Sequence, residues 1–152
     1  MLKFFILDIM KMKFFYALLC AGAMCLASCG SSRTATTADL SGDWNVVAVN
    51  GNDVVLTDDA EQPYLSFDTA NGQISGMAGC NRVMGGFDVA ATADGKLSLG
   101  QMGATRMMCP DMSLEDSILK ACGEVASFKT GENGNLELCN AAGQTVMTLS
   151  RR

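Results

Sequence analysis

The sequence predicts an α+β fold of about eight short antiparallel strands, curling into a sandwich or barrel, with one packed α-helix. Three observations carry this expectation. Apolar and polar residues alternate in short runs; turn pairs such as Asn50-Gly51, Asn71-Gly72 and Asp94-Gly95 recur at near-regular spacing; and one late segment switches to a helical period.

The first strand covers residues 43–49, DWNVVAV, with Trp44, Val46 and Ala48 on one side, and it stops at Asn50-Gly51. A second covers 64–68 after Pro63. Asn71-Gly72 then marks a hairpin, because both residues accept positive φ, and the return strand over 73–78 reaches a glycine-rich bend, 75-SGMAGCNRVMGGF-87. Residues 87–91 and 96–102 flank a hairpin at Asp94-Gly95, and 105–108 form a short strand. Three more strands, 126–130, 136–139 and 145–150, are separated by GENG and NAAG. Between them, 111-DMSLEDSILKACGEV-125 places Leu114, Ile118, Leu119, Cys122 and Val125 on one helical face. Ser113 and Asp116 form its capping pair, and Gly123 marks its end.

The N-terminus reads as a targeting segment. Lys11 and Lys13 precede the uncharged run FFYALLCAGAMCLAS, which ends at Cys29, and a start at Met10 or Met12 gives the more compact signal. Leu26-Ala27-Ser28-Cys29 resembles the bacterial lipobox, in which the cysteine receives diacylglycerol and becomes the mature N-terminus. The expected organisation is a lipoprotein signal peptide over 1–28, a lipidated Cys29 with a polar tether over 29–39, and one domain over 40–152. Residues 1–28 hold three of the eleven basic and one of the sixteen acidic residues, so the mature chain carries eight against fifteen, a net of −7. No basic patch remains, which argues against nucleic acid as a partner. Cys20 and Cys25 leave with the signal, and Cys80, Cys109, Cys122 and Cys139 stay in a domain exported to an oxidising compartment, where disulfides are the default.

The chain has no histidine, which excludes the common Ser-His-Asp and Cys-His nucleophilic sites and the usual zinc and iron ligand sets. Cysteine-only zinc sites use C-x-x-C spacings, and Cys80, Cys109, Cys122 and Cys139 offer none. Asp58, Asp59 and Glu61, and again Asp111, Glu115 and Asp116, read as solvated loop or helix-start charge rather than as acid and base. GMAGCNRVMGG lacks the Gly-Lys-Ser/Thr of a phosphate loop. Met77, Met84, Met102, Met107, Met108 and Met112 surround Cys80 and Cys109, and sulfur ligands suit Cu(I), although methionine more often fills irregular gaps. No catalytic residue and no cofactor is expected.

LSGDWNVVAVNG, PYLSFD, SGMAGCNRVMGGF, LG-x-M-x-ATRMMC, the amphipathic segment and the closing strands follow one another over residues 40–149. In that order they resemble the META domain and the HslJ-type heat-shock lipoproteins. The marks of the resemblance are Gly79-Cys80-Asn81 and Thr105-Arg106-Met107-x-Cys109, with Gly42-x-Trp44. It implies strands curled into a conical, partly open barrel with one packed helix, residence in the cell envelope, links to heat or antibiotic stress, and no catalytic residues to carry over. It also suggests a Cys80–Cys109 disulfide staking two bends together, with Asn81 bonding locally to its own bend. Arg106 reads equally as a hydrogen-bonding fork or as a solvated strand residue. Cys122 and Cys139 lie outside the recognised pattern, as a second disulfide or as buried thiols.

The expected function is that of a non-enzymatic envelope lipoprotein contributing to stress tolerance by binding or interaction. Gly30 after Cys29, rather than Asp, favours the outer membrane facing the periplasm. Its partners would be the membrane, through the lipid, and an unknown envelope protein or small hydrophobic ligand. One rival reading is a lipid or hydrophobic-molecule binder using the barrel mouth. The other is copper handling through Cys80, Cys109 and nearby methionines, which requires free thiols.

Overall fold

The computed structural model describes residues 35–57 and 60–152. The expected signal peptide, Cys29, most of the expected tether, Asp58 and Asp59 lie outside the described residues. Residues 35–39, the end of the expected tether, pack with the domain. Ala35 is buried, and Thr37–Leu40 forms a helical turn, α1, whose Asp39 carboxylate accepts hydrogen bonds from the Thr36 backbone and hydroxyl.

Nine strands follow among the described residues: β1 (Gly42–Val49), β2 (Asn52–Asp53), β3 (Tyr64–Asp68), β4 (Gln73–Met77), β5 (Arg82–Gly86), β6 (Gly103–Ala104), β7 (Val125–Thr130), β8 (Leu136–Asn140) and β9 (Thr145–Arg151). Eight of them form one continuous antiparallel path, β6-β5-β4-β3-β1-β9-β8-β7, and β2 pairs with β1 off that path. The sheet curls into a half-barrel, the α+β architecture expected. Helix α3 (Ser113–Glu124) packs on β1 and β9. The concave side is filled by side chains: Leu40, Val46, Leu65, Phe67, Ile74, Leu97, Ile118, Leu138 and Leu149 are all nearly solvent-free. Alternation explains which residues these are, since Trp44 and Val46, or Leu65 and Phe67, project to one face of their strands.

Gly42-x-Trp44 has a local reason. Arg151 lies over the Trp44 ring at 4.1 Å and donates to the Ser41 carbonyl, while Trp44 Nε1 donates to the Leu40 carbonyl at 2.9 Å. Gly42 has φ of +109°, and a Cβ there would stand 2.7 Å from the Arg151 guanidinium. The motif thus seats the last strand against the first.

Four parts of the chain depart from the sequence expectation. Arg82–Gly86, read as a bend, is strand β5, with Val83 inward and Met84 outward. Its glycines masked the alternation, and one of them, Gly85, makes room for the Met102 thioether. Residues 87–91, expected as a strand, contain a helical turn, α2 (Val89–Thr92), because Asp88 caps it by accepting from the Ala90 amide at 2.9 Å. Residues 96–102 form no strand and no hairpin with 87–91, because Lys96 and Leu99 make isolated bridges to Ser127 and Phe87 instead, and residues 105–108 form no strand either.

The segment that follows α2 ties the two ends of the sheet together. Leu97 N donates to the Ala126 carbonyl and Phe128 N to the Gly95 carbonyl on the β7 side. Gly100 N donates to the Gly86 carbonyl, and Leu99 bridges Phe87, on the β5 side. One strap therefore occupies hydrogen-bonding groups that would otherwise be exposed sheet edge.

Candidate functional site

The two motifs Gly79-Cys80-Asn81 and Thr105-Arg106-Met107-x-Cys109 meet at one corner. Cys80 and Cys109 form a disulfide across 29 residues of sequence, with Cα atoms 6.5 Å apart. The turn that presents Cys80 is closed by Ala78 N donating to the Asn81 carbonyl, and it needs a glycine because Gly79 has φ of +141°.

Asn81 is fully buried, and its side chain does not bond locally as expected. Its Oδ1 accepts from the Thr105 hydroxyl at 2.8 Å and from the Met107 amide at 2.7 Å. Its Nδ2 donates to the Met107 carbonyl at 3.2 Å and to Glu115 Oε1 at 2.9 Å, and its backbone amide donates to Glu115 Oε2 at 2.8 Å. Both acceptor and both donor positions of the amide are thus in use. The Thr105 hydroxyl also accepts from Arg82 N, which fixes the start of β5. One asparagine links the bend, the irregular 105–109 segment and the helix.

Glu115 corrects a second expectation. It is not solvated helix-start charge: it is only 4 % exposed. It lies in the first turn of α3, where the unpaired amide dipoles favour a negative group. The helix itself starts differently from the expected Ser113–Asp116 pair. Met112 is the N-cap residue, and Asp111 Oδ1 accepts from the Ser113 amide at 2.9 Å, which holds the Asp111 carboxyl below its usual range. The signal for Glu115 was present in the sequence. Glu115, Ile118 and Cys122 stand at i, i+3 and i+7, so the carboxyl sits on the apolar stripe itself.

The remaining motif residues are less engaged. Arg106 is exposed and solvated. Met107 contributes its backbone, while its side chain, like those of Met84 and Met108, is exposed. The disulfide consumes both thiolates on which the copper reading depends. Cys122 and Cys139 are buried free thiols rather than a second disulfide. Cys122 belongs to the apolar core under the helix, whereas Cys139 lies outside that cluster, its Sγ 3.9 Å from the Thr145 hydroxyl. Burial pushes the Cys122 thiol up to about 12, which removes its nucleophilic form near neutral pH.

Beside the disulfide runs an open groove of about 970 Å³. One wall is the chain leaving β1 through β2, with Val54, Val55 and Leu56; the other holds Cys80, Cys109 and the first turns of α3, including Leu114. Val55 is 87 % exposed in this wall. The barrel interior is packed, so the groove lies at its rim rather than inside it.

A curled antiparallel half-barrel, stapled at one corner and flanked by helix α3, defines a small α+β module with a surface groove. The chain belongs to the META domain family, whose model matches residues 38–152. Membership supports a general envelope- or stress-related role, in a family not known for enzymatic activity. Among solved structures, the chain is similar to a protein from Burkholderia xenovorans determined by NMR, with 28 % identity and a TM-score of 0.61 over 80 % of this chain and 89 % of that one. A crystallised DUF4847 family protein from Bacteroides vulgatus has 16 % identity and a TM-score of 0.47 over 74 % of this chain and 94 % of that one. No curated protein matches.

Proposed function

We propose that this protein is a lipid-anchored, non-enzymatic envelope protein that acts by binding an apolar ligand or partner in the groove beside the disulfide. Cys29 is the lipid attachment point, and the domain faces the periplasm from the outer membrane, where it contributes to heat or antibiotic tolerance. The groove is the observation that carries this reading: its volume falls at the upper end of small-ligand sites, and Val54, Val55, Leu56 and Leu114 give it apolar walls. The disulfide and the Asn81 network favour a rigid wall, which lowers the ordering cost of binding. The barrel-mouth alternative is thereby narrowed to the rim, because side chains fill the interior.

The test is native mass spectrometry of the exported chain, carrying Cys29→Ala and purified without detergent. A retained apolar adduct, lost in Val55→Asp while the circular dichroism stays unchanged, supports the reading. A bare mass, with no response of Val54 or Leu114 resonances to a neutral short-chain amphiphile, overturns the binding role. Separately, wild-type chain from the membrane fraction is expected to carry diacylglycerol on Cys29, and an unmodified cysteine there removes the anchor.

A further inference from the structure

We propose that the ligand of this groove is a cationic amphiphile: a small molecule with an apolar body and an amine or other cationic end. This rests on the groove being a binding site, and it names the chemistry that the site selects. The apolar part of the lining is concentrated in Val54, Val55, Leu56 and Leu114. The charged part has a single sign. Asp53, Glu61 and Asp111 are exposed lining residues, Glu115 lies at the base beside Asn81, and no lysine or arginine is among the described lining residues.

Two features make that asymmetry more than a solvated acidic surface. The carboxylates come from both walls, Asp53 and Glu61 from the chain after β1 and Asp111 from the turn before α3, rather than from one loop. Asp111 is also oriented by its hydrogen bond from the Ser113 amide. Apolar walls that carry charge of one sign suit an alkyl or aryl body with a cationic head. They disfavour fatty acids and anionic phospholipids, whose heads would lie among like charges. The volume of about 970 Å³ fits a small molecule rather than a folded partner.

Octylammonium, octanol and octanoate share one chain and differ in the charge of the head, so together they separate the two levels of the reading. The exported chain carrying Cys29→Ala would be titrated with each, following backbone amides by NMR. Octylammonium is expected to shift the Val54, Val55 and Leu114 amides at about tenfold lower concentration than octanol, with octanoate weakest. That preference should shrink at high salt. Combining Asp53→Asn, Glu61→Gln and Asp111→Asn is expected to abolish the preference while leaving octanol binding in place; asparagine at 111 keeps an oxygen for the Ser113 amide.

Equal binding of all three compounds at these amides would overturn the cationic selectivity and leave the groove reading intact. Absence of any response there would overturn both. Octylammonium shifts spread over acidic residues elsewhere, without Val55 and Leu114, would mean surface charge only and sink the proposal. A basic amphipathic peptide that binds the groove where octylammonium does not would replace the small-ligand class with a peptide partner.

Discussion

Strands β3 and β4 are held to the body of the sheet through Leu65, Phe67 and Ile74, each almost solvent-free, whereas the corner around Cys80 is held by a disulfide and a buried asparagine. The body relies on apolar area, which is non-directional and tolerates exchange among residues of similar volume. The corner relies on contacts that each require one atom in one place. Asn81 saturates four hydrogen-bonding positions, and both Glu115 oxygens have N–H donors. An irregular segment such as 105–109 has no ladder to fix it, so directed polar bonds and a covalent link do what pairing does in the strands.

The largest expected effect belongs to the body. Phe67→Ala removes a fully buried ring that meets Phe87 edge-on with centroids 5.9 Å apart. It should cost about 3–5 kcal/mol in urea unfolding. Next comes the staple: Cys80→Ser with Cys109→Ser should cost about 2–4 kcal/mol by releasing a loop of this length in the unfolded chain. The two regions are then told apart by proton exchange. Loss of the staple should raise amide exchange at 105–109 first, while β3 and β4 stay protected; uniform loss of protection would mean that the corner and the body are one cooperative unit.

The polar half of the corner gives a sharper test. Glu115→Gln keeps shape but turns one oxygen into an amide donor, facing either the Asn81 backbone amide or its Nδ2. A donor set against a donor in a buried site should cost about 1–3 kcal/mol. Thr105→Val removes a hydroxyl that bridges Arg82 N and Asn81 Oδ1, with a loss of similar size. Combined with Glu115→Gln, its effect should be non-additive, because both act through Asn81. Additive costs would show that Asn81 does not couple the helix to the 105–109 segment.

The same contrast decides what could be read from the sequence. Strands β1, β3, β4, β8 and β9 were legible because alternation and turn pairs are local signals, and α3 because apolar residues recur at helical spacing. The meeting of Gly79-Cys80-Asn81 with Thr105-Arg106-Met107 was legible only as a resemblance. Asn81 reaches partners 24 to 34 residues away, and no periodicity encodes such a reach. Strand β5 was hidden by Gly85 and Gly86, whose missing side chains erase the alternation where Met102 packs. Asp88 turned 87–92 toward a helical turn, since a capping oxygen outweighs weak strand preference over a few residues. The groove left no motif at all, because its walls come from elements distant in sequence.

The smallest effect tests the surface of the body, where a polar contact resembles those of the corner but is solvated. Lys129 and Glu137 face each other across β7 and β8 with nitrogen and oxygen 3.0 Å apart. Burial alone would raise the Glu137 carboxyl, but hydrogen bonds from Lys129 and Thr145 and the Lys129 charge outweigh it, leaving the carboxyl below its ordinary 4.5. The Glu137 hydrogen bond and charge hold the Lys129 ammonium above its ordinary 10.5. A carboxyl lowered by folding stabilises above 4.5, and that contribution is lost as pH falls through the lowered folded value. The raised ammonium contributes below 10.5 and loses its contribution as pH rises through its folded value. Both partners are only partly buried and reach solvent, so Lys129→Met should cost only about 0.5 kcal/mol at neutral pH and low salt. That difference should fade in strong acid and at high ionic strength. A loss as large as that of Glu115→Gln would mean that cross-strand charge pairs fix the sheet as firmly as the buried network fixes the corner, and the division between the two regions would fail.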